Sequence, residues 1–313
     1  MSGPPRLFNR ALHRRRLARA AAGFGEASFL KRRAAEDIVQ RLETIRREFP
    51  RAVDLGARDG AFARALADSE ALAKVGFLVE TDLSEAMLQG RGGALVAADE
   101  ERLPFAEGSL DLVVSSLALH WTNDFVGALI QIRQSLKPDG LFLGAMLGGS
   151  TLFELRAALT TAELELRGGA GPRVSPFADA YDAAGLLQRA GFALPVADVD
   201  KVTVRYAHLV GLLADLRAMG ETSVLVEGAG RPLNRSVLSR AGEIYAERFA
   251  GPDGRIEATF EIVTLTGWSP HESQQKPLRP GSARMRLADA LGARERSAGE
   301  RAGGSAKGQA GSS

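Results

Sequence analysis

Three acids punctuate the amino-terminal half of the chain: Asp54 in "VDLGARDG", Asp82 in "VETD" and Asp99 in "VAAD". Each follows a short apolar run, and the first leads into a turn that holds Gly56 and Gly60 with Arg58 between them. A dinucleotide turn wants three glycines spaced G-x-G-x-x-G, and this stretch does not supply them. Carboxylates at three successive strand ends would repel a phosphate. They suit a nucleoside, because the second can accept both ribose hydroxyls and the third the adenine amino group. A ligand with adenine, ribose and a cationic side chain satisfies this set, and S-adenosylmethionine is the common one. The expected contacts are Asp54, Gly56, Arg58, Gly60, Asp82, Leu83, Asp99, Glu100 and Ser115.

For chemistry on a substrate the chain offers less. His120 in "LALHWTND" follows the fourth apolar run and is expected to face the crevice, as a general base or as a group that orients substrate. The alternative is a partly buried structural histidine beside Trp121. Methyl transfer needs little more than in-line positioning in a dry pocket. Hydroxylation calls for an oxidant, and an iron facial triad would need two histidines and a carboxylate. The chain has His13, His120, His208 and His271 with no H-x-D pair, so no metal-ligand set is assigned.

The elements that must position these residues alternate. "RAVDLGA", "KVGFLVETD", "GALVAAD", "LDLVVSSLAL" and "LFLGAML" read as strands, the fourth apolar on both faces as a buried parallel strand should be. Helical spacing separates them in "AFARALAD", "SEAMLQG" from Ser84, and "FVGALIQIRQSL", the last stopped by "KPDG". Thr151 and Glu154 have capping-box spacing at the next helix start. Beyond "GGAGPRVSPF" come a helix, strand material in "VADVDKVTVRY", two helices, and strand material in "EATFEIVTLTGW". The pattern predicts a doubly wound α/β sheet closed by an antiparallel pair, with a helical cap over the crevice before the last strand.

Composition limits the partners. Lys+Arg number 40 against 38 Asp+Glu, a formal net charge of +2, so no general nucleic-acid affinity follows. Absence of cysteine excludes disulfides and thiolate chemistry, and fits a reducing compartment. No apolar run is long enough to span a membrane. "RLFNRALHRRRLARAAAGFG" is basic and free of acid, which reads as a helix packed on the body, a targeting segment, or a peripheral contact with an anionic surface. "ARERSAGERAGGSAKGQAGSS" reads as a disordered tail.

"DLGARDG", "VETDLSEAML", "LPFAEGSLDLVVSSLALHW" and "LKPDGLFLGAM" together resemble the "DLGxGxG", "DxSxxML", "LPF" and "KPGG" signatures of the class I S-adenosylmethionine-dependent methyltransferases. With "GGAGPRVSPF", "LRAMGE" and "GWSPHESQQKPLRPGSA", the chain from about Leu7 to Ser282 resembles the family of NADH dehydrogenase 1 alpha subcomplex assembly factor 5. The resemblance implies a seven-stranded Rossmann-like sheet and hydroxylation of an arginine in an iron-sulfur subunit of respiratory complex I during its assembly. The alternatives are O-methylation of a small molecule or carrier-protein thioester, which a related group performs, and an assembly chaperone without turnover. Only six residues precede Leu7, so the basic segment is expected in the mature protein, in a bacterial cytoplasm rather than a mitochondrial matrix. The expected division is a basic extension over 1–40, the ligand-binding domain over 41–270 with a cap at 207–252, and a carboxyl segment over 271–313, disordered from about 290. Where the family's turn has glycine this chain has Arg58, whose side chain must point away or lie over the ligand's carboxylate.

Overall fold

The computed structural model describes residues 6–227 and 232–275, with Asp289 and Gly292 beyond them. Met1–Glu272 form one compact unit; Ser273–Ser313 form another, almost all of it outside the described residues, and the expected disordered tail lies there. Seven strands make one sheet: β1 (Phe49–Leu55), β2 (Val75–Asp82), β3 (Ala94–Ala97), β4 (Leu110–Ser116), β5 (Leu136–Leu147), β6 (Ala193–Tyr206) and β7 (Ile256–Trp268). Their order is β3-β2-β1-β4-β5-β7-β6. The first five run parallel, and β7 is antiparallel to both β5 and β6. The chain winds outward from β1 through β2 to β3, then returns to β4 on the other side. That reversal opens a crevice at the carboxyl ends of β1 and β4, where open α/β sheets bind ligands.

Alternate residues of the central strands feed two cores, as the period of a strand requires. Leu112, Val114, Leu141 and Leu143 pack on one face. Val53, Leu55, Val113 and Phe142 pack on the other. The helices are α1 (Arg10–Ala20), α2 (Phe24–Ala27), α3 (Phe29–Thr44), α4 (Ala61–Ala67), α5 (Glu85–Leu88), α6 (Phe125–Ser135), α7 (Phe153–Arg167), α8 (Ala180–Arg189), α9 (Leu209–Ala218) and α10 (Arg235–Phe249). None is long and apolar enough to cross a membrane among the described residues.

Three local expectations change. Thr151 and Glu154 do not form a capping box: α7 starts from Leu152 at φ 53° with no side-chain cap. Both side chains turn to β7 instead, where Glu154 accepts from the Thr259 amide and hydroxyl and Thr151 Oγ1 accepts from the Glu261 amide. The "KPDG" stretch stops α6 but already belongs to β5, whose pairing with β4 is irregular between Leu110 and Leu112. Asp139 there takes φ 64°. Of the two helices between β6 and β7, only α9 roofs the crevice. It packs on α1, α2 and β6, whereas α10 lies against α7 and β7. The roof is completed from the amino-terminal end of the chain, which the pattern in the cap could not foretell.

Candidate functional site

β1 delivers Asp54 into the middle of the sheet and ends in a turn of three left-handed residues, Gly56 (φ 70°), Arg58 (φ 53°) and Gly60 (φ 78°). Asp54 is fully buried and neither carboxylate oxygen has a hydrogen-bond partner. Burial pushes its carboxyl up to about 7 against the pull of the nearby Lys31 ammonium. Lys31 comes from α3, and its Nζ donates to the Gly56 carbonyl (2.8 Å), the Ser116 carbonyl (2.6 Å) and Ser116 Oγ (3.0 Å). Burial lowers that ammonium to about 8. Lys31 thereby ties the glycine turn to the end of β4.

The other acids are already engaged. Asp82 Oδ2 accepts from the Arg58 amide (3.0 Å) and from Arg58 Nη1 (2.7 Å), while Oδ1 accepts from the Ser84 amide (2.8 Å). Arg58 Nη1 also stands 4.0 Å from Glu100 Oε1. Arg10, at the start of α1, bonds Glu100 Oε2 and reaches Asp99 Oδ1 at 2.5 Å. Arg58 therefore neither points away nor lies over the carboxylate end of a ligand. It turns inward and is 1% exposed, because two buried carboxylates offer it better partners than water does. Leu83 is buried among Leu17, Phe24 and Met87, and its carbonyl accepts from Arg14 Nε. Ser115, expected at the ligand, is fully buried inside the sheet and donates to the Leu55 carbonyl at 2.9 Å. It cannot serve the crevice.

The glycine turn gives the same result. A Cβ placed on Gly56 would collide with the Ala118 side chain and stand 3.3 Å from Glu100 Oε1 and 3.6 Å from Arg58 Nη1, and one on Gly60 would meet the Arg91 guanidinium carbon at 2.7 Å. The open face at Gly60 is covered by Arg91, and that at Gly56 by Ala118 with Glu100 and Arg58 beyond it. S-adenosylmethionine, the ligand expected from the strand-end acids, would have to displace Arg58 from Asp82 and Arg10 from Asp99 and Glu100 to bind here.

Beside the crevice lies a cavity of about 410 Å³, lined by Trp121, Leu155, Leu159, Leu216, Met219 and Phe260 among others. Glu221, in the loop after α9, is an acid in this wall. Its Oε2 accepts from Trp121 Nε1 at 2.9 Å and lies 3.3 Å from His120 Nε2. The cavity's cations are engaged: Lys31 with the oxygens named above, Arg58 with Asp82, Arg16 with the Ser223 carbonyl, and Arg173 with Glu163 at 2.5 Å. His120, expected to face the crevice, is instead packed between Trp121 and the edge of Phe177, and is not among the residues lining the cavity. It reaches the cavity only through Glu221.

Sequence reasoning missed Glu221 and His13. The first stands in the "LRAMGE" stretch, one residue past the helix-ending glycine of the cap, and that place was the available signal. The second is fully buried against Trp121, at 5.0 Å between ring centroids, with Arg10 beside it. Burial and the neighbouring Arg58 and Arg10 hold its imidazole well below the ordinary histidine range. Among the described residues no group of three or more His, Cys, Asp or Glu side chains is placed to hold a metal ion.

Sheet order, antiparallel last pair and strand-end crevice define the class I methyltransferase fold. The family described as "Methyltransferase domain" matches residues 53–144, the stretch from β1 into β5. The BH2331 protein of Bacillus halodurans, assigned to the methyltransferases, has the same fold at TM-score 0.51 and 16% identity, over 75% of this chain and 99% of its own. Full-length similarity is more particular. The zebrafish (Danio rerio) protein named "Arginine-hydroxylase NDUFAF5, mitochondrial" is 40% identical over 290 residues, covering 90% of this chain and 89% of the relative. The malonyl-[acyl-carrier protein] O-methyltransferase of Laribacter hongkongensis is 35% identical over 280 residues, covering 84% and 90%. The chain belongs to the arginine-hydroxylase NDUFAF5 family, within the methyltransferase superfamily of enzymes.

Proposed function

We propose that the chain hydroxylates an arginine of the complex I subunit carrying the terminal iron-sulfur cluster, during assembly and in a bacterial cytoplasm. The observation that carries this reading is Glu221. Its carboxylate stands in a largely apolar wall, with Oε2 held by Trp121 and His120 and the Arg58 guanidinium within its field. An arginine side chain is an apolar stem with a cationic fork, and the cavity presents a surface for each. The name of the zebrafish relative supports the same chemistry.

Hydroxylation would convert a C–H bond of the arginine side chain to C–OH with one atom of molecular oxygen, while two electrons from a reductant and two protons take the other atom to water. This chain's residues bind the guanidinium on Glu221, align the stem along the leucines, and keep water from the reacting end. His120 is a positioning residue, because it fixes the Glu221 oxygen and does not line the cavity. S-adenosylmethionine is the ligand of the fold class, and no step here passes through it, since Asp82, Asp99 and Glu100 are held by arginines of the chain. The O-methyltransferase alternative depends on that ligand and loses support with it.

The test is mass spectrometry of the candidate subunit from cells with the gene, without it, and with Glu221→Gln. The arginine peptide should lose one oxygen on deletion. E221Q should lower the rate of modification about 10- to 100-fold, the worth of one hydrogen bond to a charged group. A peptide of unchanged mass on deletion overturns the reading, and failed assembly alongside it leaves the chaperone role.

A further inference from the structure

Arg58 stands in the turn between Gly56 and Gly60 and turns its guanidinium inward onto Asp82. Asp82 is the carboxylate that would accept the two ribose hydroxyls. It is 0% exposed, and three donors already reach it, two of them from Arg58. Arg58 is 1% exposed and lies in contact with the Gly56 face, which Ala118 and Glu100 also close. Arg91 covers Gly60, with one guanidinium nitrogen on Glu80 and another on the Arg58 carbonyl at 2.8 Å. The acids expected at the adenine end, Asp99 and Glu100, are held by Arg10. A ribose entering here would displace a charge-assisted pair between two buried groups and offer neutral hydroxyls in exchange. The ligand's sulfonium would arrive beside a fixed guanidinium of the same sign.

We propose that Arg58 is a resident occupant of the nucleoside site, so that this chain does not hold S-adenosylmethionine. The arginine replaces the ligand's polar contacts with internal ones and keeps the glycine turn and the end of β2 locked together.

The experiment is isothermal titration of the full chain with S-adenosylmethionine and with S-adenosylhomocysteine, comparing wild type with Arg58→Gly. Circular dichroism establishes that each protein is folded. Glycine suits the left-handed backbone of this position. Wild type should give no saturable heat. R58G should bind about 100-fold tighter than any limit set by the wild type, the ratio supported by charge-assisted hydrogen bonds restored to the ribose. Saturable binding to wild type within a few-fold of R58G overturns the proposal. So does a folded R58G as silent as wild type, because Arg58 is then not what closes the site. If R58G is unfolded, Arg58→Ala, too short to reach Asp82, decides on the same criteria. No arginine substrate is present in the titration, so failure of the hydroxylation reading leaves this result unchanged.

Discussion

Asp54 and Lys31 show at the residue scale how the site is built on charges that would rather be solvated. The Asp54 carboxyl, raised by burial to about 7 from an ordinary 3.8, keeps its proton in the folded chain over a range where the unfolded chain has lost it. Its contribution to stability is therefore greatest below about 4 and is lost as pH rises toward 7, at about 1.4 kcal/mol per unit. Lys31, lowered by burial to about 8 from 10.5, acts with the opposite slope: stability returns as pH rises from about 8 to 10.5. Asp54→Asn should flatten the decline between pH 4 and 7 and, by removing the acid that holds the Lys31 ammonium up, start the rise below pH 8. Urea unfolding across that range checks this, and a mutant whose slope below pH 7 matches wild type would contradict it.

At the element scale, the start of α7 is fastened to β7 rather than capped. Glu154 is 3% exposed and accepts from the Thr259 amide at 3.1 Å and from its hydroxyl at 2.5 Å. Glu154→Ala leaves these half-buried donors without their partner, and should cost about 1–2 kcal/mol in a urea melt. A capping-box reading of the same residues predicts a loss confined to the helix, whereas the observed bonds predict faster amide exchange in β7 at Thr259 as well. The S/T-x-x-E spacing of Thr151 and Glu154 was legible in the sequence, but its meaning was not. Either partner satisfies the side chains, and packing of α7 on the last strand chose between them.

Across the whole molecule, the basic amino-terminal helix is part of the site. α1 buries Leu17 and His13 and sends Arg10 onto Asp99 and Glu100, while Arg15 on the same helix is exposed. Arg10→Ala strips its main partner from Glu100, whose side chain is 1% exposed, and should destabilise the chain by about 3 kcal/mol, as loss of one member of a buried pair does. Arg15→Ala should stay within about 0.5 kcal/mol of wild type, the ordinary cost of an exposed change. Equal denaturation midpoints for the two variants would show that Arg10 has no structural role. The roof is thus shared between α1 and α9, which lie about two hundred residues apart in the chain.

The sequence by itself determined the alternation of strands and helices, the antiparallel last pair, and the three acids at the ends of β1, β2 and β3. These follow from local properties: apolar period, strand-ending acids and glycines at turns. Tertiary structure alone decided what the acids do. Arg58 meets Asp82 from 24 residues away, Arg10 meets Asp99 from 89, and Trp121 meets Glu221 from 100. A long cationic side chain has several partners within reach, water among them. Only the packed fold, by removing water from around Asp82 and Glu100, makes a guanidinium the partner of lowest free energy and turns an expected ligand site into an internal ion-pair network.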